Sequence, residues 1–338
     1  LPQVRLRWDA LVETHERACQ AMSGTPPKAP GFRLYWARAD GMGWTDLAAP
    51  GEYAILGRHS ECDGLLGNDE TLPLRHLLAT TVPLADGLAL RLLDLQTGTP
   101  FFLGDGTPRR SLVVSGSVAI SVGEQTVGAV PIEETDTGLR LALGPLYRPK
   151  VVDARTSQSM VQAPAMHQQP YRSPAPVPSP GLGPGRITLV TSMPPPRSFA
   201  DLAPFRASQV LELGEDRSWP TAAVARIVVQ RDTLMAQVDL SAEQLEHGVI
   251  LGRADRCLDQ GLMAVLNNAT SRAHVLLMRN PQEHDVLDVF DLCSTNGTYV
   301  RGQRVRRIRV ESDGATFAMG MNDAAVSVKV RFPPSHRP

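Results

Sequence analysis

The stretch that decides the fold has three blocks: Val249-Ile250-Leu251-Gly252-Arg253, Ser271-Arg272-Ala273-His274, and Leu287-Asp288-Val289-Phe290-Asp291-Leu292-Cys293-Ser294-Thr295-Asn296-Gly297-Thr298-Tyr299-Val300. Leu276 to Met278 and Val286 to Leu292 alternate or run apolar, as half-buried or buried strands do. Asn296-Gly297 signals a turn, because both residues tolerate positive φ. Arg253, Ser271, Arg272, Thr295 and Asn296 therefore fall at or near strand ends. In a β-sandwich the strand ends gather at two rims, so the spacing predicts one shared surface patch.

Two arginines, two hydroxyls and an amide suit a tetrahedral anion. Guanidinium forks bind phosphate oxygens through parallel, charge-assisted hydrogen bonds. Ser and Thr hydroxyls add neutral donors, and an Asn amide both donates to and accepts from a peptide backbone. Each motif alone fits a surface ion-pair cluster with ordinary turn residues. The ordered series Gly-Arg, Ser-Arg-x-His, Ser-Thr-Asn-Gly-Thr favours a binding site.

The series resembles a forkhead-associated (FHA) domain, a β-sandwich module that binds phosphothreonine peptides. The resemblance spans about Ala225 to Phe332. It implies that Arg253, Ser271 and Arg272 hold the phosphate and that Thr295 and Asn296 orient the peptide backbone. Gly252, His274 and Gly297 match the family's supporting positions. One departure is Arg301-Gly302, where the family often has Asn-Gly.

An internal echo lies upstream. Ile55-Leu56-Gly57-Arg58-His59-Ser60-Glu61-Cys62 parallels Ile250 to Cys257, and Leu93-Asp94-Leu95-Gln96-Thr97-Gly98-Thr99 parallels Phe290 to Thr298, shortened by two residues. Leu74-Arg75-His76 stands where Ser271-Arg272-x-His274 should fall, so Leu74 is expected in the place of Ser271 and Arg75 in the place of Arg272. This region resembles a degenerate FHA domain without useful phosphopeptide affinity, acting as scaffold or phosphate-independent interface.

The expected architecture is all-β: two FHA-like β-sandwich domains joined by a Pro-rich linker, with a short N-terminal helix. Residues 1–24 are the helix, with Val4, Trp8, Leu11, Val12, Cys19 and Met22 on one face, packed on the neighbouring domain. Residues 31–149 are the degenerate copy, with strands at Phe32 to Ala37, Tyr53 to Leu56, Leu88 to Leu95 and Val118 to Val122, and Leu139 to Leu143 as a possible last one. Residues 150–223 are linker and ill-defined segment. Pro recurs every second or third residue from Pro174 to Pro184, which favours extended polyproline II. Ile187 to Val190 is a candidate strand and Ser198 to Leu202 a candidate short helix. Residues 224–332 are the FHA domain, opening with strands Ala225 to Gln230 and Leu234 to Leu240.

The chain of 338 residues carries a formal net charge of −1, so no whole-protein field draws nucleic acid or anionic lipid. No run of apolar residues is long enough for a membrane span, and no export signal is read. Cys19, Cys62, Cys257 and Cys293 form no C-x-x-C pair and have no clustered histidines, which excludes the usual zinc patterns. Cys62 and Cys257 read as equivalent positions of a repeat, and free thiols point to a reducing, cytoplasmic setting.

No cofactor or metal is expected. No paired carboxylates, phosphate-cradling Gly-rich loop or G-x-S-x-G motif supports an enzyme. Arg301, Arg304, Arg306, Arg307 and Arg309 have no recognition helix beside them, which argues against DNA binding and for a solvated strand face that favours acidic partners. The expected function is a phosphothreonine-peptide-binding adaptor whose partner is a Ser/Thr kinase or a kinase substrate. The rival is a phosphate-independent scaffold of a bacterial assembly such as a secretion system.

Overall fold

The structure is a computed structural model that describes residues 6–67, 72–84, 87–136, 138–144, 146–147, 219–254, 257–258, 262–280, 283 and 285–333. These residues belong to one compact unit. The readings of Pro2 and Val4, of the Pro-rich stretch, of Ile187 to Val190 and of Ser198 to Leu202 lie outside the described residues.

Helix α1 (Trp8–Met22) buries Leu11, Thr14, His15, Ala18, Cys19 and Met22. The buried stripe is thus turned from the expected one, and Trp8 and Val12 are only half-buried. The cause is a polar partner beneath the helix: His15 Nδ1 lies 2.9 Å from the hydroxyl of Tyr35, itself fully buried. A buried polar group is tolerated when it is hydrogen-bonded. The helix packs on the first sandwich, as expected.

The first sandwich contains β1 (Gly31–Arg38), β2 (Gly41–Leu47), β3 (Tyr53–Gly57), β4 (Gly64–Leu65), β5 (Leu77–Leu84), β6 (Gly87–Asp94), β7 (Phe101–Phe102), β8 (Pro108–Arg109), β9 (Ser111–Val114), β10 (Val118–Val122), β11 (Gln125–Thr135) and β12 (Gly138–Leu141). The second contains β13 (Ala223–Arg231), β14 (Leu234–Ser241), β15 (Val249–Leu251), β16 (Val275–Arg279), β17 (Leu287–Asp291), β18 (Thr298–Val300), β19 (Gln303–Val305), β20 (Arg307–Val310), β21 (Ala315–Met319) and β22 (Val326–Arg331). A short helix α2 (Ala242–His247) precedes β15, started by a capping box between Ser241 and Gln244.

The topologies coincide. In the first copy the sheet orders are β2-β1-β11-β10-β7-β8 and β3-β5-β6-β9; in the second they are β14-β13-β22-β21-β18-β19 and β15-β16-β17-β20. Replacing each strand by its counterpart converts one pattern into the other, with β4 and β12 as additions to the first. Each copy has its own core between its sheets. The duplication that the sequence echo suggested is therefore a duplication of fold.

A third apolar cluster joins the copies. It contains Ile55, Leu78, Leu93 and Leu95 from one and Ile250, Leu276, Phe290 and Leu292 from the other. Strand pairing places Ile55 opposite Leu78 and Leu78 opposite Leu93, and likewise Ile250 opposite Leu276 and Leu276 opposite Phe290. Equivalent faces thus meet, as in an isologous dimer made within one chain. Burying each such side chain stabilises by about 1.5–3 kcal/mol, so the contact is a core and not a loose touch.

Candidate functional site

The loop before β16 carries Ser271 to His274, and the loop after β17 carries Cys293 to Gly297. Two contacts join them, and a third, within the first loop, orients the ring between them. The Thr295 backbone N–H donates to Ser271 Oγ at 3.0 Å. The Ser271 N–H donates to His274 Nδ1 at 3.0 Å, and His274 Nε2 lies 3.0 Å from the Gly297 carbonyl. Because Nδ1 accepts, the ring proton sits on Nε2 and is donated to Gly297. His274 is fully buried, and that burial holds its pKa below the ordinary 6.5, with a smaller opposing effect from Asp291. It is a neutral clamp.

The second loop is shaped by Asp291. Its carboxylate accepts from the Ser294 N–H at 2.8 Å, the Ser294 hydroxyl at 2.6 Å and the Thr298 hydroxyl at 2.6 Å. Gly297 has φ +77, a region that favours glycine, and a Cβ there would meet Arg304 Nε at 2.7 Å. Asn296 Nδ2 donates to the Ala269 carbonyl at 2.8 Å, and Arg304 Nη2 donates to the Ser294 carbonyl at 3.2 Å. Asp291 and Arg304 were not singled out from sequence as site residues. The spacing Asp291-x-x-Ser294, a side chain bonding its own backbone three residues on, is the signal that marks the first.

Gly252 lets β15 approach the first loop: a Cβ would lie 2.3 Å from the Arg272 carbonyl. Arg253 then crosses to that loop, donating from Nε to the Thr270 carbonyl at 2.7 Å and from Nη1 to Asn268 Oδ1 at 3.3 Å. All five predicted site residues are therefore brought to one rim. Arg272, Thr295 and Asn296 are exposed there, Arg253 is half-buried and Ser271 is nearly buried. The Arg272 side chain has no ion-pair partner among the described residues. Ser271 Oγ accepts from Thr295 and retains its own proton to donate outward.

The first copy differs from expectation by one position. The His76 N–H donates to the Leu56 carbonyl as the His274 N–H does to Leu251, and the His59 N–H reaches the Leu74 carbonyl as the Ala254 N–H reaches Arg272. The thiols of Cys62 and Cys257 point at these same two carbonyls, as equivalent residues should. Pro73 thus occupies the place of Ser271, Leu74 that of Arg272, and Arg75 that of Ala273. Both phosphate-type side chains are lost, not one. Arg58 keeps only the loop-bracing role of Arg253, with its Nε on the Leu72 carbonyl at 2.7 Å.

The basic run is the solvated face expected, with Arg301, Arg304, Arg306 and Arg309 exposed and Arg307 half-buried, but three of its arginines already have acidic partners within the chain. Arg306 pairs with Asp63 at 2.7 Å, Arg307 with Asp288 at 2.8 Å, and Arg309 with Glu283. Among the described residues no group of His, Cys, Asp and Glu has metal-ligand geometry, and no helix is long and apolar enough to cross a membrane.

No curated protein matches the chain at a significant level. The fold is similar to FHA-1 of Mycobacterium tuberculosis Rv1747, with 24% identity, 32% of this chain and 99% of that one covered, and a TM-score of 0.24. It is similar to the FHA domain of CT664 from Chlamydia trachomatis, with 17% identity, 33% and 100% coverage, and a TM-score of 0.26. The N-terminal FHA domain of Rad53p from S. cerevisiae, solved with a phosphothreonine peptide, has 20% identity, 32% and 94% coverage, and a TM-score of 0.26. The family model of the FHA domain matches residues 249–320, so the second sandwich of this chain carries an FHA domain.

Proposed function

We propose that the chain is a phosphothreonine-peptide-binding adaptor in Ser/Thr kinase signalling and that it reads its partner through the second sandwich. The observation that carries this reading is the rim itself: Arg253, Ser271 and Arg272 present donors beside one another, with Thr295 and Asn296 on the adjoining loop. A phosphate carrying about −1.5 to −2 charges at neutral pH suits that set of donors. Arg272, exposed and without an ion-pair partner among the described residues, supplies the fork, and Ser271 the neutral hydrogen bond. Asn296 and Thr295 face solvent where a peptide backbone would lie. The first sandwich, with Pro73 and Leu74 in the corresponding places, serves as scaffold.

Calorimetric titration of the full chain with matched peptides tests the reading. A phosphothreonine peptide selected from a degenerate library should bind and its unphosphorylated form should not. The phosphoserine form should bind about 4-fold more weakly if the missing methyl is fully buried in the complex. Capture of partners from lysate that persists after phosphatase treatment would favour the scaffold reading instead.

A further inference from the structure

Arg75 occupies the place that Ala273 has in the second copy, in the face between the sandwiches, and is 4% exposed. Its Nη2 donates to the Cys293 carbonyl. Cys293 opens the loop that carries Thr295 and Asn296, and it does so with φ 54, a left-handed conformation that residues with a Cβ adopt only with support from their surroundings. A second side chain of the first copy braces the same segment: the Tyr53 hydroxyl lies 2.9 Å from the Asp291 carbonyl and 2.6 Å from the Arg306 carbonyl. The Tyr53 ring also packs edge-on against Phe290, with centroids 4.9 Å apart.

We propose that Arg75 is a positioning residue for phosphopeptide binding: the first sandwich, which has lost its own phosphate-type side chains, holds the Cys293 to Gly297 loop of the second in its binding shape. The two copies then form one binding unit, and the duplication is retained because one copy braces the other. This rests on the second sandwich reading phosphothreonine peptides.

The test uses the full chain with Arg75→Ala, Arg75→Lys, Leu78→Ala and Arg272→Ala. Leu78→Ala is the control, because it opens the interface core while leaving the hydrogen bond from Arg75 to the Cys293 carbonyl in place. Three quantities are measured: the melting temperature, hydrogen exchange at the Thr295 amide, and affinity for the library-selected phosphothreonine peptide. Arg75→Ala should weaken the peptide about 10-fold, the size expected for one lost hydrogen bond that shapes a site. It should also speed Thr295 exchange, since that amide is held only while the loop keeps its place on Ser271. Arg75→Lys, which keeps a donor and the charge, should fold and fall between wild type and Arg75→Ala in both readouts. Leu78→Ala should lower the melting temperature yet leave affinity and Thr295 exchange near wild type. Unchanged affinity and unchanged Thr295 exchange in both Arg75 variants overturn the proposal. So does an equal loss of affinity in Leu78→Ala. If Arg75→Ala fails to fold, Arg75→Lys decides. If wild type binds no phosphothreonine peptide, the functional reading fails, while the Thr295 amide still reports whether Arg75 positions the loop.

Discussion

The Thr295 amide donates to the Ser271 hydroxyl across 24 residues of sequence, at 3.0 Å, and so ties the two loops of the rim together. The Ser271 oxygen thus has an internal task before any ligand arrives. Ser271→Ala should leave the Thr295 N–H without its acceptor and remove an outward donor. The expected result is a stability loss of about 1 kcal/mol and roughly 10-fold weaker phosphopeptide binding. Thermal melts and titration of the same preparation check both.

His274 gives the rim a pH dependence. Its folded pKa lies below the ordinary 6.5, chiefly because of burial. Between the two values the unfolded chain carries a proton that the folded chain refuses. Stability from the neutral clamp is therefore fully present above about 6.5 and is lost as pH falls from there through the lowered folded value. Melts at pH 7.5 and 5.5 should show a larger drop for wild type than for His274→Gln. Equal drops would assign the acid sensitivity to other groups.

Gly57 and Gly252 are predicted to be equivalent in energy as well as in place. A Cβ at Gly57 would lie 2.3 Å from the Leu74 carbonyl, and one at Gly252 would lie 2.3 Å from the Arg272 carbonyl. Both obstacles are backbone, so relief requires strands to move. Each Gly→Ala change should destabilise by about 1–3 kcal/mol. Only Gly252→Ala should also impair peptide binding, because only its loop carries the donors. Denaturant melts and titrations of the two variants make the comparison.

Arg58 and Arg253 make the same Nε contact to a loop carbonyl, yet only Arg253 stands beside a serine and an exposed guanidinium, those of Ser271 and Arg272. Arg58→Ala should leave phosphopeptide affinity within about 2-fold of wild type. Arg253→Ala should weaken it about 10-fold, as expected for a charge-assisted contact. The measurement is made on the full chain, because separating the copies would expose Ile250, Leu276, Met278, Phe290 and Leu292.

Much of this rim was legible in the sequence because its chemistry is local. Gly252-Arg253, Ser271-Arg272 and Asn296-Gly297 each sit at a turn whose residues announce it. The register of the first copy was not legible. Leu74-Arg75-His76 aligns with Ser271-Arg272-Ala273-His274 either through the arginines or through the histidines. The choice is made by pairing between distant strands, where Leu56 faces Leu77 as Leu251 faces Val275. The interface between copies was hidden for a related reason. Apolar residues on both faces of Leu287 to Leu292 signal burial, but not that one face meets a second sandwich. Helix α2 was missed although Ser241 and Gln244 spell a capping box, since six residues are too few for a helical period to show. The basic run is solvated as its charges suggest, but its pairing with Asp63, Asp288 and Glu283 was not legible, because none of them is its neighbour in sequence.

The central claim is that Arg272 is a phosphate ligand, and one titration series addresses it most directly. Wild type, Arg272→Ala and Arg272→Lys are each titrated calorimetrically with the same phosphothreonine peptide, alongside thermal melts. Arg272 is exposed and without an ion-pair partner among the described residues, so both variants should melt like wild type. Arg272→Ala should bind about 10- to 100-fold more weakly, and Arg272→Lys should recover only part of that loss, because a point charge cannot copy the fork. An Arg272→Ala variant that melts and binds like wild type would contradict the account.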